Sequence, residues 1–290
     1  MSVCILENNN WKAEISTNGA ELISMKRKCD GREYMWGADA SVWKRHAPVL
    51  FPLVGKYKND TSYFEGKEYH MTQHGFARDM DFSVVCADEK SVRMTLHENE
   101  TSLEKYPFGF ALSLIYTLDK NKLSVVWEVE NTNEREMYFS IGGHPAFVGG
   151  GSTLTGAELL FETEEESLTY SLIGSDGFMG DDKDTLSLSH GRAVITEDFF
   201  DRDALIFEKP DIKKVSLYEN GERIVGVSFD CPLFGIWSAT KKGNPFVCIE
   251  PWYGRVDRTD FGGELSEREY GNRLSAGETF RAEHVIEFGE

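Results

Sequence analysis

At 290 residues, with 40% hydrophobic and 28% charged residues, the chain has the make-up of an ordinary globular protein whose core can close without disulfides or metals. A formal net charge of -18 and a pI near 4.9 argue against nucleic acid and anionic membranes as partners, because a general negative field repels phosphate chains; a small anionic substrate held by local cations stays open. No run approaches the roughly 18 apolar residues of a membrane-spanning helix, and MSVCILENNNWKAEI lacks the charged and long apolar regions of a signal peptide, so a cytoplasmic location is expected.

The predicted elements are mostly short strands with period-two alternation. DFSVVCAD aligns Phe82, Val84 and Cys86, and SVRMTLHEN aligns Val92, Met94 and Leu96. TSLEKYP reads as one helical turn, capped by Thr101 or Ser102 and stopped by Pro107. FALSLIYTL then places Phe110, Leu112, Leu114, Tyr116 and Leu118 on one face, and KLSVVWEVEN does the same for Leu123, Val125, Trp127 and Val129. The polar DKN between them, Asp119 to Asn121, suits a hairpin. GGGST and GSDGFMGDD read as turns, and the clustered acids of DGFMGDDKD as a solvated loop without the EF-hand pattern. KVSLYEN and IVGVSFD are further strands, and LSEREYGNRL a second short helix. FRAEHVIEF closes the series, with Phe280, Ala282, His284, Ile286 and Phe288 on one face. Many strands, hairpin turns and almost no helix predict an all-β sandwich or barrel, with residues 1–290 as one domain.

The five cysteines, Cys4, Cys29, Cys86, Cys231 and Cys248, are scattered, without CxxC or Cys/His spacing, and are expected to be free thiols. No GxGxxG, P-loop, GxSxG or HExxH motif is present, so no nucleotide cofactor or metal is expected.

Five stretches carry candidate chemistry. HAPVLFPLVGK ends in Lys56, a cationic substrate contact or a surface lysine after a turn. QHGFARD holds His74 and Arg78, with Phe76 as a pocket wall; the alternative is a turn histidine and a surface ion pair. In GGHPAF, Pro145 biases His144 toward extended backbone, and Gly142 and Gly143 leave room for a ligand beside the imidazole. Such a group suits a general acid or base; otherwise it is a strand-end histidine bonded to a carbonyl. DRDALIF offers Asp203, a hydroxyl ligand or a turn aspartate. In CIEPW, Glu250 follows an apolar strand and must be solvated, paired or poised in a cleft; bonds to backbone or to Arg255 are the structural option. Trp252 and Tyr253 add flat apolar surface of the kind that receives the C–H face of a sugar ring.

In chain order, GAELISMK, APVLFPLVGK, QHGFAR, GGHPAF, DALIF, GIWS, CIEPWYGRVD and LSAGETF resemble the aldose 1-epimerase (galactose mutarotase-like) superfamily, in its LacX-type branch. The resemblance runs through nearly the whole chain. It implies a large antiparallel β-supersandwich with a sugar cleft on a concave face. It also implies roles: Glu250 as the base that takes the anomeric hydroxyl proton, His144 as the acid that protonates the ring oxygen, and His74 as a second histidine near that oxygen. Arg78 matches a substrate contact of the hexose-phosphate branch. Lys56 stands where sugar-specific members have an arginine, and Asp203 near an aspartate that binds ring hydroxyls. The implied reaction is anomer interconversion of an aldohexose, without cofactor. A hexose-6-phosphate substrate and a non-catalytic sugar-binding protein are the other readings; a glycoside hydrolase would want two carboxylates about the bond.

Overall fold

The computed structural model describes residues 2–209, 211–239 and 243–289. Among them, two large antiparallel sheets carry the fold. The nine-stranded sheet runs Arg192–Val194, Glu158–Phe161, Lys214–Glu219, Glu222–Phe229, Thr279–Phe288, Lys122–Asn131, Phe110–Asp119, Ser91–His97 and Ser83–Ala87. The second sheet runs Met179–Ser187, Ser167–Ile173, Leu205–Phe207, Leu233–Trp237, Val247–Tyr253, Ile141–Gly143 and Val49–Leu50, with Ala146–Phe147 also paired to Val247–Tyr253. A three-stranded sheet of Val3–Glu7, Trp11–Ser16 and Leu22–Arg27 packs into the same core.

The apolar faces read from the sequence form that core. Phe110, Leu112, Leu114, Tyr116 and Leu118 are buried beside Leu123, Val125, Trp127 and Val129, and Ala282, His284, Ile286 and Phe288 are buried on the next strand. Aromatic rings join the sheets: Phe161 meets Phe207 at 5.5 Å between ring centroids, and Phe51 meets Phe110 at 5.0 Å. The expected all-β architecture is therefore the one observed, and all five cysteines are unpaired.

Four local expectations are corrected. The helix spans Glu100–Lys105 and its cap is Asn99, whose Oδ1 accepts the Ser102 N–H at 2.9 Å while Ser102 Oγ accepts the Asn99 N–H. Thr101 and Ser102 lie inside it, because the asparagine starts a reciprocal capping box one turn earlier. LSEREYGNRL forms one 3-10 turn at Leu265–Glu267 and then the strand Asn272–Leu274, which pairs with Met137–Phe139. The acid-rich DGFMGDDKD is a turn followed by the strand Met179–Ser187, hydrogen-bonded to Ser167–Ile173 at the edge of the second sheet. Its partner strand supplies the order that local composition hides, and exposed charge suits an edge. Finally, Ser83–Ala87 is an outer strand with a register shift at Val84/Cys86, so Val84 and Cys86 are exposed and only Phe82 is buried.

Candidate active site

The strand Val247–Tyr253 builds the floor of the site. Val247 and Ile249 point into the core between the sheets, so period two turns Cys248, Glu250 and Trp252 to the other face. Gly142 pairs with Trp252, and Ala146 with Cys248. The same register carried across the short gap sets His144 opposite Glu250. Accordingly His144 Nε2 lies 3.3 Å from Glu250 Oε2. Both residues are buried, Glu250 with 1% of its surface exposed, and Oε2 of Glu250 and Nδ1 of His144 have no hydrogen-bond partner in the protein.

The glycines before His144 serve packing. A Cβ on Gly142 would stand 2.6 Å from the Trp252 indole, and one on Gly143 would face Trp127 and His284 in the core. The expected ligand space beside the imidazole is thus taken by Trp252 and the core. Gly235, the partner of Glu250 on the other side, likewise leaves room for the Trp252 ring. The imidazole itself is clamped by aromatics: Trp43 stacks on it at 4.8 Å, Trp237 meets it edge-on at 5.6 Å, and His74 does so at 5.8 Å.

His74 arrives on a separate loop. Gly75 has φ +72°, and a Cβ there would fall 2.2 Å from the Phe51 carbonyl oxygen. That close approach docks the QHGFAR segment onto Phe51, whose carbonyl accepts the N–H groups of Phe76 and Ala77. His74 then exchanges two contacts with Gly55: its N–H donates to the Gly55 carbonyl at 2.7 Å, and its Nδ1 accepts the Gly55 N–H at 3.2 Å. A ring whose Nδ1 accepts a backbone N–H is neutral and carries its proton on Nε2.

These side chains wall a cleft of about 430 Å³. Lys56, His74, Arg78, His144, Asp203, Glu250 and Trp252, from five separate stretches of the chain, all line it. Arg78 donates through Nη2 to the Gln73 carbonyl at 2.6 Å, and its buried Nε makes no hydrogen bond, with the Asp79 carboxylate 3.9 Å away. Lys56 reaches across the rim, its ammonium 3.2 Å from the Asp176 carbonyl and 4.4 Å from the Phe178 ring centre. Asp203 has φ +72° and accepts the Ala204 N–H at 2.9 Å. Tyr253 is turned away, donating its hydroxyl to the Asp230 carbonyl. Arg255 is engaged with Glu208 and Glu269, so it does not neutralise Glu250.

The electrostatics follow from enclosure. Burial lifts the Glu250 carboxyl well above the usual carboxylate range, and the charge of Asp203 adds to the shift. Burial pulls His144 down to about 3; its own backbone carbonyl opposes this and Arg78 reinforces it. His74 is held well below 6.5, first by burial and then by His144 and Arg78. Two titratable groups pushed in opposite senses and set in contact are the arrangement expected of an acid/base pair.

Sequence reasoning did not single out Trp43, Trp237, Gln73 or the apolar wall of Val54, Ile206 and Val256. Trp237 lies in the GIWS stretch that carries the resemblance, which was the available signal; Trp43 sits in an irregular segment with no pattern to mark it.

The family model for aldose 1-epimerase matches residues 2–259. The chain belongs to the aldose 1-epimerase family. The galactose mutarotase related enzyme of Lactobacillus acidophilus is 35% identical and superposes with a TM-score of 0.93, over 100% of this chain and 98% of its own. A galactose mutarotase-like protein of Lactobacillus casei is 32% identical at a TM-score of 0.91, over 99% of each chain. Protein LacX, plasmid, of Lactococcus lactis subsp. lactis is 28% identical over 275 residues, 91% of each chain. The sheets described above are therefore the galactose mutarotase-like β-sandwich of this family.

Proposed function

We propose that the chain is an aldose 1-epimerase, with Glu250 and His144 as its base and acid. The observation that carries this reading is the 3.3 Å contact between His144 Nε2 and Glu250 Oε2 at the floor of the cleft. Opening a cyclic hemiacetal removes a proton from the anomeric hydroxyl and adds one to the ring oxygen. Both oxygens are bonded to one carbon, so the accepting and donating groups must be close neighbours, as these two are.

The protonation states can be followed through the cycle. Burial alone favours a neutral carboxyl beside a neutral imidazole. Moving one proton across the contact gives carboxylate and imidazolium without changing the total charge of the pair. Hydrogen bonds from sugar hydroxyls favour the carboxylate form. Glu250 then accepts the O1 proton while His144 protonates the ring oxygen, and the ring opens. The C1–C2 bond rotates, the opposite face of the carbonyl is presented, and the reversed transfers close the other anomer. His74, whose Nε2 stands 3.2 Å from the Gln73 side-chain amide, lines the cleft beside His144 and supports the charge change at the ring oxygen. Trp252 supplies an apolar edge, and Arg78, Lys56 and Asp203 are the substrate contacts around the rim.

Anomer-exchange NMR with glucose, galactose and their 6-phosphates, in a buffer of low spontaneous mutarotation, tests the reading. Exchange above the protein-free control with at least one sugar is expected. A wild-type protein that binds a sugar and leaves its exchange at the control rate would be a binding protein, and the proposal would fail.

A further inference from the structure

We propose that Cys248, His144 and Glu250 form a three-ligand site for a thiophilic divalent cation of the Zn²⁺ class, and that its occupation shuts down the acid/base pair. The site itself rests on geometry; only the inhibitory consequence rests on the epimerase reading.

Cys248 is two residues before Glu250 on one strand, so its thiol points to the same face. Its cross-strand partner is Ala146, whose small side chain leaves the thiol room beside His144. One ligand atom from each of the three residues lies within 4.8 Å of the others, and all three residues are buried. Bonds of roughly 2.0–2.3 Å about a tetrahedral zinc place neighbouring ligand atoms ~3.3–3.8 Å apart. The imidazole and carboxylate are already at that spacing, at 3.3 Å, and the thiol, within 4.8 Å of both, needs to close by at most about 1–1.5 Å. The same carboxylate oxygen has capacity for a ligand: apart from its 3.3 Å contact with the His144 imidazole, the almost fully buried Oε2 of Glu250 has no hydrogen-bond partner among the described residues.

The donor set chooses the ion. One sulfur, one nitrogen and one oxygen match zinc and its neighbours, whereas calcium and magnesium ask for six or more oxygens. Cys248 does not line the sugar cleft, while His144 and Glu250 do. A bound cation therefore has the thiol behind it and its open fourth position toward the cleft. Loading displaces the thiol proton and the proton held by the carboxyl–imidazole pair, so affinity rises with pH. It also ties up both groups needed for proton transfer, so cation and sugar exclude each other.

Co²⁺ titration of the purified protein, without sugar, is the test, because a thiolate ligand gives a charge-transfer band that carboxylate and imidazole do not. The expected result is one Co²⁺ per chain with that band and tetrahedral d–d absorption, both displaced by Zn²⁺. Cys248→Ala and Cys248→Ser should lose the band and weaken Zn²⁺ binding at least tenfold. No binding, or Co²⁺ bound without a thiolate band, overturns the site, and the wild-type spectrum alone decides this if neither variant folds. Turnover is read separately: Zn²⁺ should inhibit anomer exchange competitively with sugar, and Cys248→Ala should need at least tenfold more Zn²⁺. Exchange unaffected by a Zn²⁺ level that saturates the spectrum overturns the inhibitory role. A protein that shows the Co²⁺ spectrum and no exchange with any sugar sinks the epimerase reading and leaves the metal site standing.

Discussion

Glu250→Gln separates the two consequences of burying a carboxyl. The substitution keeps shape and volume, so the Trp252 packing and the strand pairing with Gly235 are retained. It removes the proposed acceptor of the anomeric proton. A positioned general base contributes about 10²–10⁴-fold, so exchange should fall by that factor, a barrier increase of roughly 3–5 kcal/mol, with sugar affinity within a few-fold of wild type. Stability should move the other way. The folded-state pKa of Glu250 is raised by burial, whereas in the unfolded chain it is ordinary, near 4.3. Between those two values the folded protein holds a proton that the unfolded chain has released, so wild-type stability falls as pH rises through this window. The cost is about 1.4 kcal/mol for each unit of pH within it. A neutral glutamine does not carry that cost. Urea unfolding at about pH 7 should find Glu250→Gln the more stable protein, with its advantage fading as the pH approaches ~4. NMR exchange on the same samples supplies the kinetic half. Retained exchange would refute Glu250 as the base. A stability difference that does not change with pH would refute the claim that its carboxyl is held protonated by burial.

Three further outcomes follow from particular residues. His284, buried against Trp127, is pulled down to about 3 by burial, so its contribution to stability is intact above about pH 6.5 and is lost as pH falls toward 3. Comparing wild type with His284→Gln in urea, the difference in unfolding free energy should shift by roughly 2–3 kcal/mol in the variant's favour between about pH 7 and 4.5; a shift under ~0.5 kcal/mol would show the imidazole is not held neutral. Gly75→Ala forces a Cβ against the Phe51 carbonyl at positive φ, and should cost roughly 2–4 kcal/mol from strain and overpacking together. Its melting temperature should drop, and exchange should fall with it as His74 is displaced; an unchanged melt contradicts the close approach. Asn99→Ala removes the helix cap and should cost about 1 kcal/mol with no effect on exchange, checked by the same urea midpoint.

How much was legible beforehand depends on the range over which each residue acts. Strands with one buried face announce themselves by alternation, so Phe110 to Leu118, Leu123 to Val129 and the Phe280 to Phe288 face were readable from neighbours alone. Where a partner strand or a loop decides, local pattern misleads. The acids of residues 181–184 look like a loop until Ser167–Ile173 pairs with them, and Val84 and Cys86 look buried until their strand proves to be the outermost. Glycine identity signals that space is needed without saying for what; Gly142 accommodates an indole, not a ligand.

The sequence by itself determined the fold class, the buried faces of the interior strands and the identity of the titratable candidates, because period and residue type are local properties that physics reads a few residues at a time. Only the tertiary structure decided that His144 stands across from Glu250, that Trp43 and Trp237 clamp the imidazole, and that the Cys248 thiol lies within 4.8 Å of both. The reason is register: residues more than a hundred positions apart meet at the distance chemistry requires only when the hydrogen-bond ladder between their strands is set, and that ladder is fixed by burial of the whole sheet.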